Sequence, residues 1–272
     1  MLFSTLISSA LAANYDPDLT WRVLQTEHFN IHFHGGEEQL ANEMGHLVEV
    51  VYDEMTTELK WEPKEKTAVV LVDNTDFANG YASYLPQNTI VIFVTAPEAN
   101  STLSFYHDWN DLIFTHEYTH ILHIDTISGF NALLRKVLGR VVSINGLAPN
   151  WVVEGQATLM ETRHTPAGRG RSNVPDMIKR TMTLADKFPP LGNMDGYQTA
   201  NPGGNIRYLF GQDFMQHIAD KHGEDVWTRW NHSYGRGLPY ILPSKKVLGE
   251  WFPELYKDWK QSVERRYAEQ KA

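Results

Sequence analysis

The chain has 272 residues, of which 42% are hydrophobic and 12% aromatic, enough to bury one large core or two lobes sharing a cleft. A formal net charge of -9 and a pI near 5.7 argue against a nucleic-acid surface, which needs concentrated positive charge. The absence of cysteine excludes disulfides, and no apolar stretch reaches the roughly 18 residues of a membrane span.

In chain order, Leu2 to Leu11 is a short apolar stretch ending in Ala10-Leu11-Ala12, an A-x-A cleavage pattern that predicts a signal peptide over residues 1–12. It lacks a basic n-region. The expectation is an exported protein, periplasmic or secreted. Residues 13–125 then read as an N-terminal α+β lobe. His28 to His34 alternates with the period of two of a half-buried strand, closed by Gly35-Gly36. From Glu37 to Leu59 the apolar positions Leu40, Met44, Leu47, Val51, Met55 and Leu59 recur at three- and four-residue steps and predict a helix. Thr67 to Val72 and Thr89 to Thr95 are β-branched runs that read as strands, with Asn79 to Asn88 as a turn region between them. Residues 126–272 read as a mainly helical lobe, with helices near 174–188, 203–222, 224–234, 244–252 and 254–270. In it Trp227, Trp230, Trp251 and Trp259 are expected core anchors. The basic stretch from Arg163 to Arg171, interrupted by Pro166, Gly168 and Gly170, reads as an exposed loop.

The chemistry is concentrated in two segments. His116-Glu117-Tyr118-Thr119-His120 follows an acidic helix start at Asp108-Trp109-Asn110-Asp111, within apolar residues uninterrupted by Gly or Pro. On a helix His116 and His120 present their imidazoles to one ion from a single face, and Glu117 sits beside that face, placed to take a proton from a metal-activated water. Catalytic zinc keeps three protein ligands and an open position, so a third ligand must come from elsewhere. Glu154 is the best candidate, in the first turns of a second helix that starts near Pro149-Asn150 and continues through Gln156 to Glu161. His123 reads as a core residue or as a supporting partner rather than a ligand. Asp125 reads as a solvated helix-end carboxylate or as a partner that orients a ligand imidazole.

With its second segment, Trp151-Val152-Val153-Glu154-Gly155-Gln156-Ala157, the chain resembles the gluzincins, the thermolysin-like zinc peptidases, in particular the peptidase MA-like group with its W-x-x-E-G-x-A motif. The resemblance implies a zincin-like α+β fold and one Zn2+ per chain. His116, His120 and Glu154 would be its ligands and Glu117 the general base of peptide-bond hydrolysis. A metzincin would need Gly and His three and six residues after His120, where this chain has His123 and Thr126. The G-x-M-E-N run of gluzincin aminopeptidases is absent, which favours an endopeptidase. Gluzincins lay substrate along the edge strand before the zinc helix, a role open to Thr89–Thr95, which reads equally as an ordinary interior strand. They also supply a Tyr or His donor to the oxyanion, for which Tyr208 is the choice and Tyr197 the runner-up. The expected partner is a peptide or protein substrate, and in relatives a C-terminal β-propeller often follows. The alternative is a catalytically weak, zinc-stabilised domain that holds peptides in the same groove; retention of Glu117 argues against it, since a structural site needs no base.

Overall fold

The computed structural model describes residues 18–196, 201–237 and 242–270. The leader assigned to residues 1–12 and the alternative donor Tyr197 lie outside them. The architecture is α+β, a small mixed sheet with helical cover followed by a helical region.

The strands are β1 (Trp21–Gln25), β2 (Phe29–His34), β3 (Thr67–Val72), β4 (Gly80–Ser83) and β5 (Thr89–Phe93), in the spatial order β1-β2-β3-β5-β4. β2, β3 and β5 run parallel at the centre, and β1 and β4 are antiparallel edges. In β2 the alternation works as read: Phe29, Ile31 and Phe33 are buried, and the intervening residues are half-buried. β1 had no such signature, because as an edge strand it keeps four of its five residues exposed. β5 is an interior strand, so the edge role expected for it is corrected. The edge is β4, within the segment read as a turn, and it is four residues long with a glycine at its start, too short for a period-two signal.

Helix α1 (Glu38–Leu59) links the parallel pair β2 and β3 and turns Met44, Val48, Val51, Met55 and Leu59 inward. Burying each such side chain contributes roughly 1.5–3 kcal/mol. Helix α2 (Trp109–Asp125) packs beside α1 on the sheet. Asp108 caps it, accepting from the amides of Asn110 at 2.8 Å and Asp111 at 3.2 Å, which satisfies two of the donors a helix start leaves open. Phe114 and Tyr118, one turn apart on α2, stack at 5.6 Å, and Phe29 of β2 meets both edge-on. These contacts fix the rotation of α2 and hence the direction in which its histidines point.

Beyond α2 come α3 (Gly129–Leu138), α4 (Asn150–His164), α5 (Asn173–Leu184), α6 (Ile206–His222), α7 (Val226–Arg236), α8 (Leu242–Leu248) and α9 (Phe252–Tyr267). Trp227, Trp230 and Trp259 are buried as anticipated. Trp251 is only half-buried and lines an apolar cavity beside Trp151, which is the buried anchor on that side. α4 and α6 cross at Gly155 and Gly211. A Cβ on Gly155 would stand 2.8 Å from the carbonyl carbon of Gly211, and one on Gly211 would stand 2.8 Å from the carbonyl oxygen of Trp151. The glycine after Glu154 thus lets two helix backbones touch, pressing α4 against α6 where Glu154 is held. Among the described residues no helix is long and apolar enough to cross a membrane.

Candidate metal centre

His116 and His120 project from α2, with ring centroids 4.8 Å apart and their planes nearly perpendicular. Glu154 of α4 reaches both: its Oε2 lies 3.6 Å from Nε2 of His116 and 3.2 Å from Nε2 of His120. The ligand atoms of all three residues fall within 4.8 Å of one another, and the group could hold a metal ion. They open onto a cleft of about 380 Å³ that is also lined by Glu117, Tyr208 and Arg169 and roofed by β4. A Cβ on Gly80 would meet Ile113 at 2.7 Å and Cγ of Glu117 at 3.3 Å, so only glycine lets the edge strand lie this close over Glu117.

Two residues of the site were not singled out from sequence. Glu161, two helical turns after Glu154, is fully buried, and Nδ1–H of His116 donates to its Oε2 at 2.8 Å. Arg169 grips the same carboxylate with two arms, Nε to Oε1 at 2.9 Å and Nη2 to Oε2 at 2.6 Å, while its backbone amide donates to Oε1 at 3.0 Å. Nη2 of Arg169 also lies 2.7 Å from Nδ1 of His116. Since Nδ1 gives its proton to Glu161, it has no lone pair for Arg169, and the carboxylate oxygen is the acceptor shared by both donors. The consequence is a fixed ring orientation that keeps the Nδ1 proton on Glu161 and turns Nε2 of His116 toward the cleft, the nitrogen that would serve a metal once its own proton is displaced. The reading of Arg163 to Arg171 as an exposed loop is corrected at Arg169. Its local composition is that of a loop, and its burial is set by a carboxylate eight residues earlier.

The electrostatics follow from this packing. Burial pushes Glu117 upward, against the opposing charges of His116 and His120. Burial would raise Glu154 too, but the charge of His120 and hydrogen bonds from both histidines hold it well below the carboxylate range. Burial also opposes ionisation of Glu161, and Arg169 wins, lowering it to about 2. For His116, burial and Arg169 act against the charged form, while hydrogen bonds to Glu154 and Glu161 outweigh them and place it at about 9. Metal uptake at Nε2 therefore has to displace a proton.

Tyr208, near the start of α6, lines the same cleft, with its ring 6.1 Å from that of His116 and the Arg169 guanidinium 4.7 Å from its centroid. Burial, then the negative charge of Glu154, raise it to about 12, so at neutral pH it is a proton donor. His123 does not join the cluster. It is fully buried against Trp230, its centroid 6.4 Å away, and burial lowers it to about 3, leaving it neutral. Asp125 orients no imidazole and is not solvated. It accepts from Nε1 of Trp61 at 3.0 Å and Nη1 of Arg135 at 2.8 Å, tying the end of α2 to its neighbours. Comparison with protein-family models and with curated proteins finds no match to this chain.

Proposed function

We propose that this chain is a zinc-dependent metallopeptidase of gluzincin type with a zincin-like fold, which hydrolyses internal peptide bonds in peptide or protein substrates. The observation that carries the reading is the convergence of His116, His120 and Glu154 beside Glu117 in an open cleft. Donors 2.0–2.2 Å from a tetrahedral zinc ion stand about 3.3–3.6 Å apart. The distances of 3.2 and 3.6 Å from Glu154 to the two imidazoles are close to that spacing, and the three donors together span no more than 4.8 Å. Two imidazoles and one carboxylate are also the donor set of a catalytic rather than a structural zinc site.

When bound, zinc would supply Lewis-acid polarisation of the scissile carbonyl and of a water molecule. Glu117, one residue after His116 and facing the cleft, takes the proton of the attacking water and delivers it to the leaving amine. Its buried position raises its proton affinity toward the range that this exchange needs. Tyr208 donates its hydroxyl proton in a hydrogen bond to the oxygen on which negative charge develops. Glu161 and Arg169 keep the tautomer and orientation of His116. β4 offers an edge, and an extended substrate pairing with it would be held by its backbone across the cleft, leaving side-chain preference to the walls.

The deciding experiment is Glu117→Gln, which keeps side-chain shape and removes the base. Metal content and peptide affinity are expected to stay at wild-type levels, while hydrolysis of a substrate found in a peptide library falls by about 10² to 10⁴. If wild type and variant bind peptide equally and neither cleaves any library member, a zinc-stabilised peptide-binding domain replaces the peptidase. Metal loss in the variant would instead make Glu117 a structural partner of the centre.

A further inference from the structure

Helix α3 packs inside out. Asn131 is its one buried residue, and Nδ2 of Asn131 donates to the carbonyl oxygens of Gly235 at 3.3 Å and Gly237 at 2.7 Å. One turn on, Arg135 donates through Nε to the carbonyl of Val142 at 2.8 Å and through Nη1 to Asp125. A polar stripe thus faces the protein, and the apolar stripe faces out. Phe130, Leu133, Val137 and Leu138, with Val141 in the turn that follows, are between 58% and 78% exposed. Steps of three and four residues put Phe130, Leu133 and Val137 on one side of the helix, with Leu138 beside Val137 and Val141 in the turn that follows. Exposed apolar residues scattered singly need no explanation, but a contiguous row of this kind marks an interaction surface.

Charge and size say which surface. From Thr126 to Val153 there is no Asp or Glu, in a chain whose net charge is -9, and the same stretch carries Arg135, Lys136 and Arg140. Arg135 and Arg140 share the single carboxylate of Asp125, and Lys136 is exposed, so the element has surplus positive charge. A ten-residue helix is about 15 Å long and about 10 Å across, so its outer face offers on the order of a few hundred Å², short of the roughly 800 Å² per partner of a stable protein interface. A helix with a large apolar face and basic flanks needs no complementary pocket on a bilayer, where it lies along the boundary between headgroups and acyl chains.

We propose that α3 and the turn after it form an interfacial element that seats this protein on a lipid bilayer with anionic headgroups. Phe130, Leu133, Val137, Leu138 and Val141 enter the acyl boundary, and Lys136 lies at the phosphate level. Arg140 donates to the carbonyl of Tyr84 at 2.9 Å and bonds Asn88, beyond the end of β4, so the docked element holds the cleft roof close to the bilayer. The proposal is independent of what the cleft does.

The test is flotation of the full chain with vesicles of phosphatidylcholine alone and of phosphatidylcholine mixed with phosphatidylglycerol. Wild type is expected to float with the mixed vesicles and to bind plain phosphatidylcholine more weakly. The double substitution Leu133→Ser with Val137→Ser should cut binding at least about tenfold, and Lys136→Glu about fivefold on the mixed vesicles alone. Val50→Ser, at an exposed apolar position on α1, should bind as wild type does. All these side chains are exposed, so circular dichroism and thermal unfolding are expected to stay unchanged. Absence of flotation with either vesicle overturns the proposal, as does equal binding to both. Concentration-dependent self-association of wild type that the double substitution abolishes would overturn it in favour of a second copy of the chain.

Discussion

Glu161 and His116 are hydrogen-bonded at 2.8 Å across the α2–α4 interface, and through this one contact the carboxylate decides which ring nitrogen of His116 is free for a metal. Glu154, seven residues earlier on the same helix, approaches the opposite nitrogen at 3.6 Å. One face of α4 therefore both contributes a carboxylate to the candidate centre and orients His116 within it. Removing the negative charge of Glu161 weakens the tautomer preference and leaves Arg169 buried without its counter-ion. Glu161→Gln is expected to lower zinc affinity about 10- to 100-fold, read by competition with a chromogenic chelator. Thermal unfolding should show a loss on the order of 3–5 kcal/mol. Unchanged zinc affinity would mean that the contact is purely structural.

The three proposed ligands differ from the nearby histidine in a way that metal analysis resolves. His116→Ala, His120→Ala and Glu154→Ala should each remove most of the zinc from a protein that otherwise holds about one ion per chain. His123→Ala should retain it, because His123 lies buried against Trp230 and outside the donor cluster. Full zinc retention in Glu154→Ala would sink the gluzincin reading.

Tyr208→Phe leaves the ring packed between His116 and Arg169 and takes away only the hydroxyl. Turnover should fall by about 10² to 10³ at unchanged metal content, the usual effect of losing one donor to a developing oxyanion. Turnover equal to wild type would reduce Tyr208 to a packing residue.

Gly155→Ala tests the helix crossing. Its Cβ would stand 2.8 Å from backbone carbon of Gly211, and backbone cannot rotate away as a side chain can. The expected loss of stability is about 1–3 kcal/mol. Zinc affinity should fall as well, because α4 must move and Glu154 is the preceding residue. A fully stable Gly155→Ala protein with normal zinc affinity would show that the crossing tolerates separation.

Acid sensitivity has an identifiable contributor away from the centre. Asp213 on α6 pairs with Nζ of buried Lys179 on α5 at 2.7 Å and accepts from Nε1 of Trp259 on α9 at 2.8 Å. Burial opposes its ionisation, but Lys179 and these hydrogen bonds hold it below the ordinary Asp value. A depressed carboxylate stabilises the fold above its unfolded pKa of about 3.9, and that contribution is lost as pH falls through the lower folded value. Asp213→Asn should cost on the order of 2–3 kcal/mol at pH 7 and progressively less as pH falls through the lowered folded value of Asp213, because the wild type loses the same contribution there. Chemical denaturation at pH 7 and along an acid series measures the difference.

Sequence alone determined what depends on neighbours in the chain. The four-residue spacing of His116 and His120, the cap at Asp108, the buried stripe of α1 and the alternation in β2 are local, because helix and strand periods follow from backbone geometry. Glu154 was readable for the same reason, being set in the first turns of a helix with a clear start. Tertiary structure decided the rest, in each case through a partner distant in sequence. β4 took the edge and β5 the interior because strand order depends on pairing between segments. Arg169 became buried because Glu161 neutralises it, and no local pattern distinguishes it from the exposed arginine of a glycine-rich loop. α3 shows the limit most clearly. Its periodicity announces an amphipathic helix but not which face meets the protein, and that was settled by the carbonyl groups of α7's end and the carboxylate of Asp125, which Asn131 and Arg135 satisfy.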